Sequence, residues 1–253
     1  MIYIAAHKKF DDPGMENYCP LQVGAEGKND LGYLLDNTED NISIKNPNFC
    51  ELTGVYWIWK NTSDDYKGLV HYRRYFGKSN LSSNPDDIYT YEEMKNMLKD
   101  ADIVLPYVEY FKQNAKDEIL IYCCTPEIFE QLECVVKEKY PEYGQAFDDY
   151  FKQNQSTLFN MMFCRGDLFD KYCEWLFDIL FELEKHVDLS VLNDYQKRLY
   201  GFLSERLLNV WVLHNELTVK NVSVINIEMP IVEKIQLIRR RLTNRIRYNI
   251  TYK

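Results

Sequence analysis

A run of cationic and aromatic side chains follows a short apolar segment in the first third of the chain. Residues 68–70 read Gly-Leu-Val, and residues 71–76 read His-Tyr-Arg-Arg-Tyr-Phe. Guanidinium groups bind phosphate oxygens bidentately, and tyrosine offers a flat ring with a polar tip. The pattern predicts a diphosphate or nucleotide-sugar site at the carboxyl end of a central strand. A surface strand whose arginines pair with the chain's own carboxylates is the alternative.

A continuous strand over residues 66–76 would sort these side chains by direction. His71, Arg73 and Tyr75 would share one side of the strand. Tyr72 and Arg74 would lie on the other side, together with the phenylalanine at position 76.

Other polar side chains lie in positions that need a partner or a ligand. Asn160 interrupts the apolar run at residues 159–164, so it must find partners or serve a ligand. Glu205 and Arg206 lie inside an apolar helical pattern, as a functional pair or an internal ion pair. His7 follows the first predicted strand, where α/β domains usually contact ligands, although a solvated histidine is the simpler interpretation.

Composition and motifs exclude several classes of protein. The chain has 253 residues, 46% of them hydrophobic, which is enough for one sizeable core. It contains neither a GxGxxG nor a GxxxxGK[ST] pattern, and its seven cysteines form no CxxC pair. We therefore expect no Rossmann fingerprint, no Walker loop and no zinc or disulfide framework. With no signal peptide and no apolar run near the roughly 18 residues that span a bilayer, we expect a cytoplasmic protein.

The net charge of −9 is unevenly distributed. Residues 233–253 contain seven basic residues and one acid, which gives this segment +6 and leaves −15 on the rest. An acidic body argues against nucleic acid as a partner. An apolar stripe at Ile235, Ile238, Leu242 and Ile246 predicts a basic amphipathic helix. This helix would lie on an anionic membrane surface or dock on the acidic body.

Hydrophobic periodicity predicts strands that alternate with helices, which favours an α/β sheet. Strands are predicted at 1–6, 66–76, 102–106 and 159–164, and helices at 46–59, 90–99, 125–140, 167–184 and 196–215. Asn46 and Pro47 fit an N-cap and first helical position, and Thr90 with Glu93 fits a capping box. Residues 11–40 and 107–117 are predicted to be loops, and 36–43 is either a turn cluster or an ordered binding loop.

Several blocks of sequence resemble a bacterial glycosyltransferase family long listed as a domain of unknown function and found in capsular polysaccharide and O-antigen gene clusters. These blocks are Asp-Asn-Ile-Ser at 40–43, Cys-Glu-Leu-Thr at 50–53, Tyr-Trp-Ile-Trp-Lys-Asn at 56–61 and the run at 71–76. Residues 160–161, 172–177 and 201–207 also match, so the resemblance extends from Ile2 to about Pro230.

The resemblance implies an α/β domain of the GT-A class, with a mixed central sheet flanked by helices. It would span residues 1–232, with the basic helix at 233–253 added. It also implies transfer of a hexose, with galactose one candidate, from a nucleotide sugar (UDP-linked in some relatives) to a lipid-linked or growing surface glycan. Nucleotide would bind in the N-terminal half and acceptor in the C-terminal half. That class commonly holds a divalent metal through an Asp-x-Asp motif, whereas the corresponding strand here ends in His71, Tyr72 and Arg73. We therefore expect no cofactor, with Mn²⁺ or Mg²⁺ as the open alternative.

Residue roles follow from this interpretation. Arg73 and Arg74 would stabilise the departing diphosphate, and His71 and Tyr72 would orient it. The predicted nucleotide-sugar site also includes His7, Asp40 and Asn41. Glu205 is the predicted base for an inverting reaction, with Asp36, Asp40 and Asp167 as rivals. The predicted acceptor or sugar contacts are Asn160, Trp59 and Arg206.

Two other classes of function remain open at this point. One is a carbohydrate or nucleotide-sugar binding module without catalysis. The other is a membrane-docked scaffold of a polysaccharide assembly complex, located on the inner face of the cytoplasmic membrane, in which the basic helix is the working part.

Overall fold

A computed structural model describes the backbone of residues 1–252 and the side chains of residues 1–248. Lys253, which was counted in the basic segment, lies outside the described residues. None of the helices in the described part combines the length and the hydropathy that crossing a bilayer requires.

The centre of the molecule is a mixed sheet of eight strands. Its order is β3-β2-β1-β4-β5-β10-β6-β9, and β9 also pairs with β4, so the pairings from β4 to β9 close a ring. Strands β1, β2, β3 and β4 are parallel, while β5 runs antiparallel to β4 and β10. The strands of this sheet are β1 Ile2–Ala6, β2 Tyr18–Gln22, β3 Leu34–Leu35, β4 Tyr66–His71, β5 Arg74–Gly77, β6 Ile103–Pro106, β9 Met162–Arg165 and β10 Val219–Asn226. Two further strands, β7 Glu109–Tyr110 and β8 Gln155–Ser156, form a separate two-stranded sheet.

Helices cover both faces of this sheet. They are α1 Asn46–Phe49, α2 Leu52–Asn61, α3 Tyr91–Met97, α4 Ala115–Tyr122, α5 Pro126–Lys139, α6 Gly144–Lys152, α7 Gly166–Glu184, α8 Leu199–His214 and α9 Ile231–Tyr252. Because strand side chains alternate, Tyr3 and Ala5 of β1 pack in the larger core with α2, α7 and α8. Ile2 and Ile4 pack in the smaller core on the other face, with Met94 of α3. The mixed α/β architecture agrees with the predicted fold class.

The predicted strand over residues 66–76 is wrong, because the chain reverses within it. Tyr72 and Arg73 form a tight turn, and β4 and β5 are an antiparallel hairpin with His71 opposite Arg74. Directly opposed residues project from the same face of a sheet. His71 and Arg74 therefore project from the same face of the sheet, whereas the sequence predicted that they would lie on opposite sides of one strand.

The predicted helix at 46–59 is in fact two helices. Cys50 has φ 53° and ψ −132°, which ends α1 and lets α2 begin at Leu52. Asn46 is the first residue of α1, and its side chain donates to the Cys50 carbonyl 2.7 Å away instead of capping the helix. The break places Glu51 between the two helices.

Residues 11–40 are not the plain loop that the sequence predicted, because they contribute β2 and β3. β2 carries a cysteine and a proline, which hid its strand character. The next loop contains Asp36, which is fully buried and accepts hydrogen bonds from the amides of Gly24 and Ala25 and the hydroxyls of Ser43 and Thr53. Asp36 therefore ties this loop to α2, which is a structural role and not that of a base. Residues 107–117 likewise contain β7 and the start of α4.

Helix α9 docks on the body through a different face from the one the sequence indicated. It begins at Ile231, two residues before the predicted boundary at 233. Lys234 is buried against Ser82 and Ser83, Arg241 pairs with Glu109, and Asn244 donates to the Tyr110 carbonyl. Of the predicted stripe, Ile235, Leu242 and Ile246 are exposed, together with Ile231 and Val232. The helix thus docks on the body and still presents an apolar stripe to solvent.

Candidate functional site

A cleft of about 540 Å³ lies at the carboxyl ends of β1 and β4. It is the place where open α/β sheets bind ligands. Its basic lining residues are His7, Lys28, His71, Arg73, Arg74 and Arg198. Its acidic lining residues are Glu51 and Glu205. Four permanent cations face two carboxylates, so the cleft is suited to an anionic ligand.

The β4–β5 turn positions the two arginines. Arg73 lies in the turn, with its guanidinium carbon 5.6 Å from the centre of the Tyr72 ring. Arg74 is half-buried and lies over the Phe159 ring at 4.9 Å. Burial, with Arg73 next to it, lowers the pKa of Arg74. Neither arginine has a carboxylate within ion-pairing distance among the described side chains, so both remain available to a ligand.

His71 is held as a neutral ring. Its Nε2 lies 2.6 Å from the Phe159 carbonyl oxygen, and because a carbonyl only accepts, Nε2 carries the hydrogen. Burial lowers the pKa of His71, so the ring is neutral at pH 7 and Nδ1 has a free lone pair. His71 can therefore accept a hydrogen bond at Nδ1. This is a different role from that of a cationic side chain that binds phosphate.

Glu51 is held by a network that includes Asn160. The Asn160 amide nitrogen donates to Glu51 Oε1 at 2.7 Å and to the Gly201 carbonyl at 3.0 Å, and its amide oxygen accepts from Ser204. Asn160 has φ 52°, a left-handed conformation that asparagine tolerates well. Gly201 lets α8 approach the break between α1 and α2 closely, because a Cβ atom at position 201 would lie only 3.2 Å from the Cys50 side chain. Asn160 is thus buried and fully partnered, and it orients Glu51 instead of facing the cleft.

Both carboxylate oxygens of Glu205 have protein partners. Oε1 accepts from the Phe159 amide at 2.7 Å, and Oε2 accepts from Arg206 at 2.7 Å. Burial raises the pKa of Glu205, and Arg206 opposes this rise. Arg206 is 3% exposed and also pairs with Glu118. Burial lowers the pKa of Arg206, but the carboxylates of Glu205 and Glu118 raise it by more, so the net change is a rise. Arg206 is therefore an internal ion-pair residue behind the cleft.

The remaining predicted site residues are scattered. His7 lines the cleft and packs edge-on against Tyr72, with ring centres 5.1 Å apart. Asp40 accepts from Tyr56, and Asn41 donates to the Glu39 carbonyl, so both belong to a turn outside the cleft lining.

Trp59 and Asp167 also lie outside the cleft lining. Trp59 stacks on Phe177 of α7, and Asp167 pairs with Arg165.

Sequence analysis missed Glu51, Lys28 and Arg198. Glu51 directly follows Cys50, where the helix breaks, and only that break turns it into the cleft. Lys28 comes from the loop after β2 and Arg198 from the turn before α8, so neither had a local signal. The Arg198 Nε lies 3.3 Å from Cys50 Sγ, which brings the start of α8 to the α1–α2 break.

The cleft residues do not fit the divalent cation that the Asp-x-Asp class uses. Mg²⁺ and Mn²⁺ prefer oxygen ligands, whereas here β4 ends in the imidazole of His71 and is followed by the guanidinium groups of Arg73 in the turn and Arg74 at the start of β5. Within the described residues, no three His, Cys, Asp or Glu side chains gather closely enough to hold a metal.

Comparisons with known proteins place the chain in a family and match its fold to a solved structure. A family model described as a domain of unknown function (DUF4422) matches residues 1–216. The fold is similar to a solved structure described as the apo form of WbbM, a bifunctional glycosyltransferase, with a TM-score of 0.82 and 29% identity. That match covers 90% of this chain but 45% of the other, so this chain spans less than half of its relative. No curated protein matches the chain.

Proposed function

We propose that the chain, which belongs to the family described as DUF4422, is a glycosyltransferase that takes a hexose from a nucleotide sugar. The observation that carries the proposal is the pair of arginines at the β4–β5 turn, facing two carboxylates across one cleft. The likeness to a glycosyltransferase chain supports it. A GT-A-like arrangement, with the donor on β1 and β4, is part of the proposal.

In this proposal the donor diphosphate lies against Arg73 and Arg74, and Lys28 and Arg198 add positive charge. Fixed cations stabilise the charge that develops on a departing diphosphate without reorganising. The arginines thereby take the place of the divalent metal. We propose a UDP-linked hexose, with galactose one candidate, and a lipid-linked or growing surface glycan of capsule or O-antigen synthesis as the acceptor. His71 Nδ1 would accept from a substrate hydroxyl.

Glu51 is the base in the proposed inverting reaction. The acceptor oxygen bonds to the anomeric carbon, the bond from that carbon to the diphosphate oxygen breaks, and the nucleoside diphosphate leaves with the electron pair. Glu51 takes the hydroxyl proton through Oε2, because Asn160 already holds Oε1. This assignment departs from the sequence-based choice of Glu205, whose two oxygens are both occupied.

A transfer assay with Glu51→Gln and Glu205→Gln tests the reaction. Purified protein is incubated with UDP-hexoses and a panel of glycan acceptors, and free UDP and product are separated by chromatography. Loss of a general base typically costs about 10²–10⁴-fold in turnover. E51Q should lose that much while it still binds donor. Full turnover in E51Q together with its loss in a folded E205Q would restore Glu205 as the base. Donor binding without transfer or hydrolysis, across all acceptors, would favour the binding-module alternative.

Peripheral attachment to an anionic membrane surface is a second element of the proposal, favoured by α9. The exposed stripe of Ile231, Ile235, Leu242 and Ile246 lies beside exposed Arg239. Apolar side chains flanked by arginines are typical of helices that lie in the headgroup region. The proposed location is the inner face of the cytoplasmic membrane, where a lipid-linked acceptor would be within reach. A scaffold role would use the same helix but would not need the arginine cleft.

A further inference from the structure

A second cavity, of about 220 Å³, lies between α9 and the β5–β10 side of the sheet. We call it the α9 cavity. Arg74 and Phe159 line both this cavity and the cleft, so the two spaces are separated by a single layer of side chains. The predicted roles of the cleft residues do not account for it.

One part of the α9 cavity is apolar. It is lined by Leu158, Phe159, Val224, Met229, Leu237 and Ile238. These side chains come from the segment before β9, from β10, from the turn before α9 and from the docked side of α9. Such a wall would hold a hydrocarbon chain through burial of apolar surface.

The other part of the α9 cavity is cationic. Its charged lining residues are Arg74, Lys234, Arg240 and Arg241 against Glu109 alone. Arg241 pairs with Glu109 at 2.9 Å. In the described part of the chain, the other three cations have no carboxylate within ion-pairing distance, although Glu109 still acts on Arg240 from farther away. The Lys234 ammonium is buried, and its hydrogen-bond acceptors among the described residues are the Ser82 carbonyl and the Ser83 hydroxyl, which are both neutral. A buried cation without a counter-charge is costly, and a bound anion would remove that cost.

We propose that the α9 cavity binds a phosphate group that carries an apolar chain. The cations would hold the phosphate oxygens, and the apolar wall would hold the first carbons of the chain. Because Arg74 is shared, the phosphate would lie next to the cleft. The assignment of this ligand as the carrier end of a glycan acceptor rests on the proposed function, but its binding does not.

Direct binding of farnesyl phosphate tests the proposal, with farnesol and inorganic phosphate as the two partial ligands. All three are titrated into the full chain by isothermal calorimetry, below the concentration at which farnesyl phosphate aggregates. Farnesyl phosphate should bind at least about tenfold more tightly than either partial ligand, because each of them lacks one of the two contacts. Equal binding of inorganic phosphate would overturn the proposal, and so would no binding of farnesyl phosphate.

Two neighbouring arginines provide a matched pair of variants. Arg239 and Arg240 are both exposed on α9, but only Arg240 lines the cavity. R240Q should weaken farnesyl phosphate at least about fivefold, and R239Q should leave it unchanged, because loss of a single charge contact is worth about 1 kcal/mol or more. Met229→Trp, which fills the cavity from the turn before α9, should abolish binding. Equal weakening by R239Q and R240Q, or unchanged binding in M229W, would contradict the proposal.

Binding of UDP-sugars to the same preparation separates the two proposals. Nucleotide-sugar binding without farnesyl phosphate binding would refute the α9 cavity and leave the proposed transferase intact. The reverse result would keep the cavity and refute the transferase.

Discussion

At the scale of residues, the sequence indicated several of the side chains that line the cleft but not how they are arranged. The pairing of Asn160 with Glu51 depends on contact between distant segments, and the pairing of His71 with Arg74 depends on a local reversal of the chain. The residue types at 71–74 indicated an anion site, because two adjacent arginines after a buried strand need a partner. Their true arrangement depended on a turn at Tyr72 and Arg73, which contains neither of the usual turn residues glycine and proline.

Arg73 should be required for transfer but not for folding. Its guanidinium has no hydrogen-bonded protein partner among the described side chains, so Arg73→Ala should leave the thermal midpoint within about 2 °C of wild type. Loss of one charge-stabilising donor typically costs about 10²–10³-fold in turnover. Steady-state UDP release by R73A measures this loss. Arg165→Ala, which removes an exposed arginine far from the cleft, is the control, and unchanged turnover in R73A would refute the role of Arg73.

His71 should make the fold less stable as the pH falls below 6.5. Burial lowers the pKa of His71 from its ordinary 6.5, and the positive charges of Arg73 and Arg74 lower it further, while the negative charge of Glu51 opposes this change. As the pH falls, the unfolded chain therefore takes up a proton on His71 before the folded chain does. The contribution of neutral His71 to the free energy of unfolding is therefore complete above pH 6.5. It is lost as the pH falls towards the pKa of His71 in the folded chain, by at most about 1.4 kcal/mol per pH unit. Urea denaturation across this range should give a smaller slope for His71→Asn. An identical slope would contradict a neutral buried His71.

At the scale of elements, strong local signals were reliable. The capping box of Thr90 and Glu93 forms as predicted, α5 begins after Thr125, and α7 occupies the predicted range. Elements that lack such signals were missed. The helix break at Cys50 lies against the start of α8, and it is the feature that gives Glu51 its position.

The stability of the fold should depend strongly on the hydrogen bonds that Asp36 accepts. Two amides and two hydroxyls donate to this buried carboxylate at 2.6–2.9 Å. Asp36→Ala would leave these four donors without an acceptor, so we expect a loss of about 3–5 kcal/mol in the free energy of unfolding. Chemical denaturation measures this loss. Asp167→Ala, which removes one side of an exposed ion pair, is the control and should change the free energy of unfolding by less than about 1 kcal/mol. A similarly small effect of D36A would show that the hydrogen bonds to Asp36 are dispensable.

At the scale of the whole molecule, the alternation of strands and helices correctly indicated an α/β sheet. The strand order and the ring of pairings from β4 to β9 were out of reach, since they are set by long-range register that no local pattern encodes. A helix was predicted over most of the range that α9 occupies. Which of its faces docks was not predicted, because Lys234 is buried and Arg241 is half-buried against the body while isoleucines are left in solvent.

The exposed stripe of α9 should control attachment to membranes. The triple variant Ile235→Gln, Leu242→Gln and Ile246→Gln removes three apolar anchors without touching the docked face, and each anchor is worth about 1.5–3 kcal/mol when fully buried. Its co-sedimentation with vesicles that contain anionic lipid should fall at least about tenfold, with turnover on a soluble acceptor unchanged. Leu81→Gln with Val191→Gln, which removes exposed apolar residues elsewhere, is the matched control. Undiminished sedimentation of the triple variant would exclude the stripe as the attachment surface.

The central claim is that arginines hold a nucleotide-sugar diphosphate in the cleft without a metal. Thermal unfolding with UDP-, GDP-, dTDP- and CMP-sugars, each in EDTA and in Mn²⁺, tests it most directly. A ligand at 100 times its Kd adds about 2.7 kcal/mol, which corresponds to a rise of roughly 5–10 °C in a chain of this size. We predict such a rise with a UDP-sugar in EDTA, and its loss in the Arg73→Ala, Arg74→Ala double variant. A rise only in Mn²⁺ would contradict the role of the arginines, and no rise with any nucleotide sugar would contradict the proposed function itself.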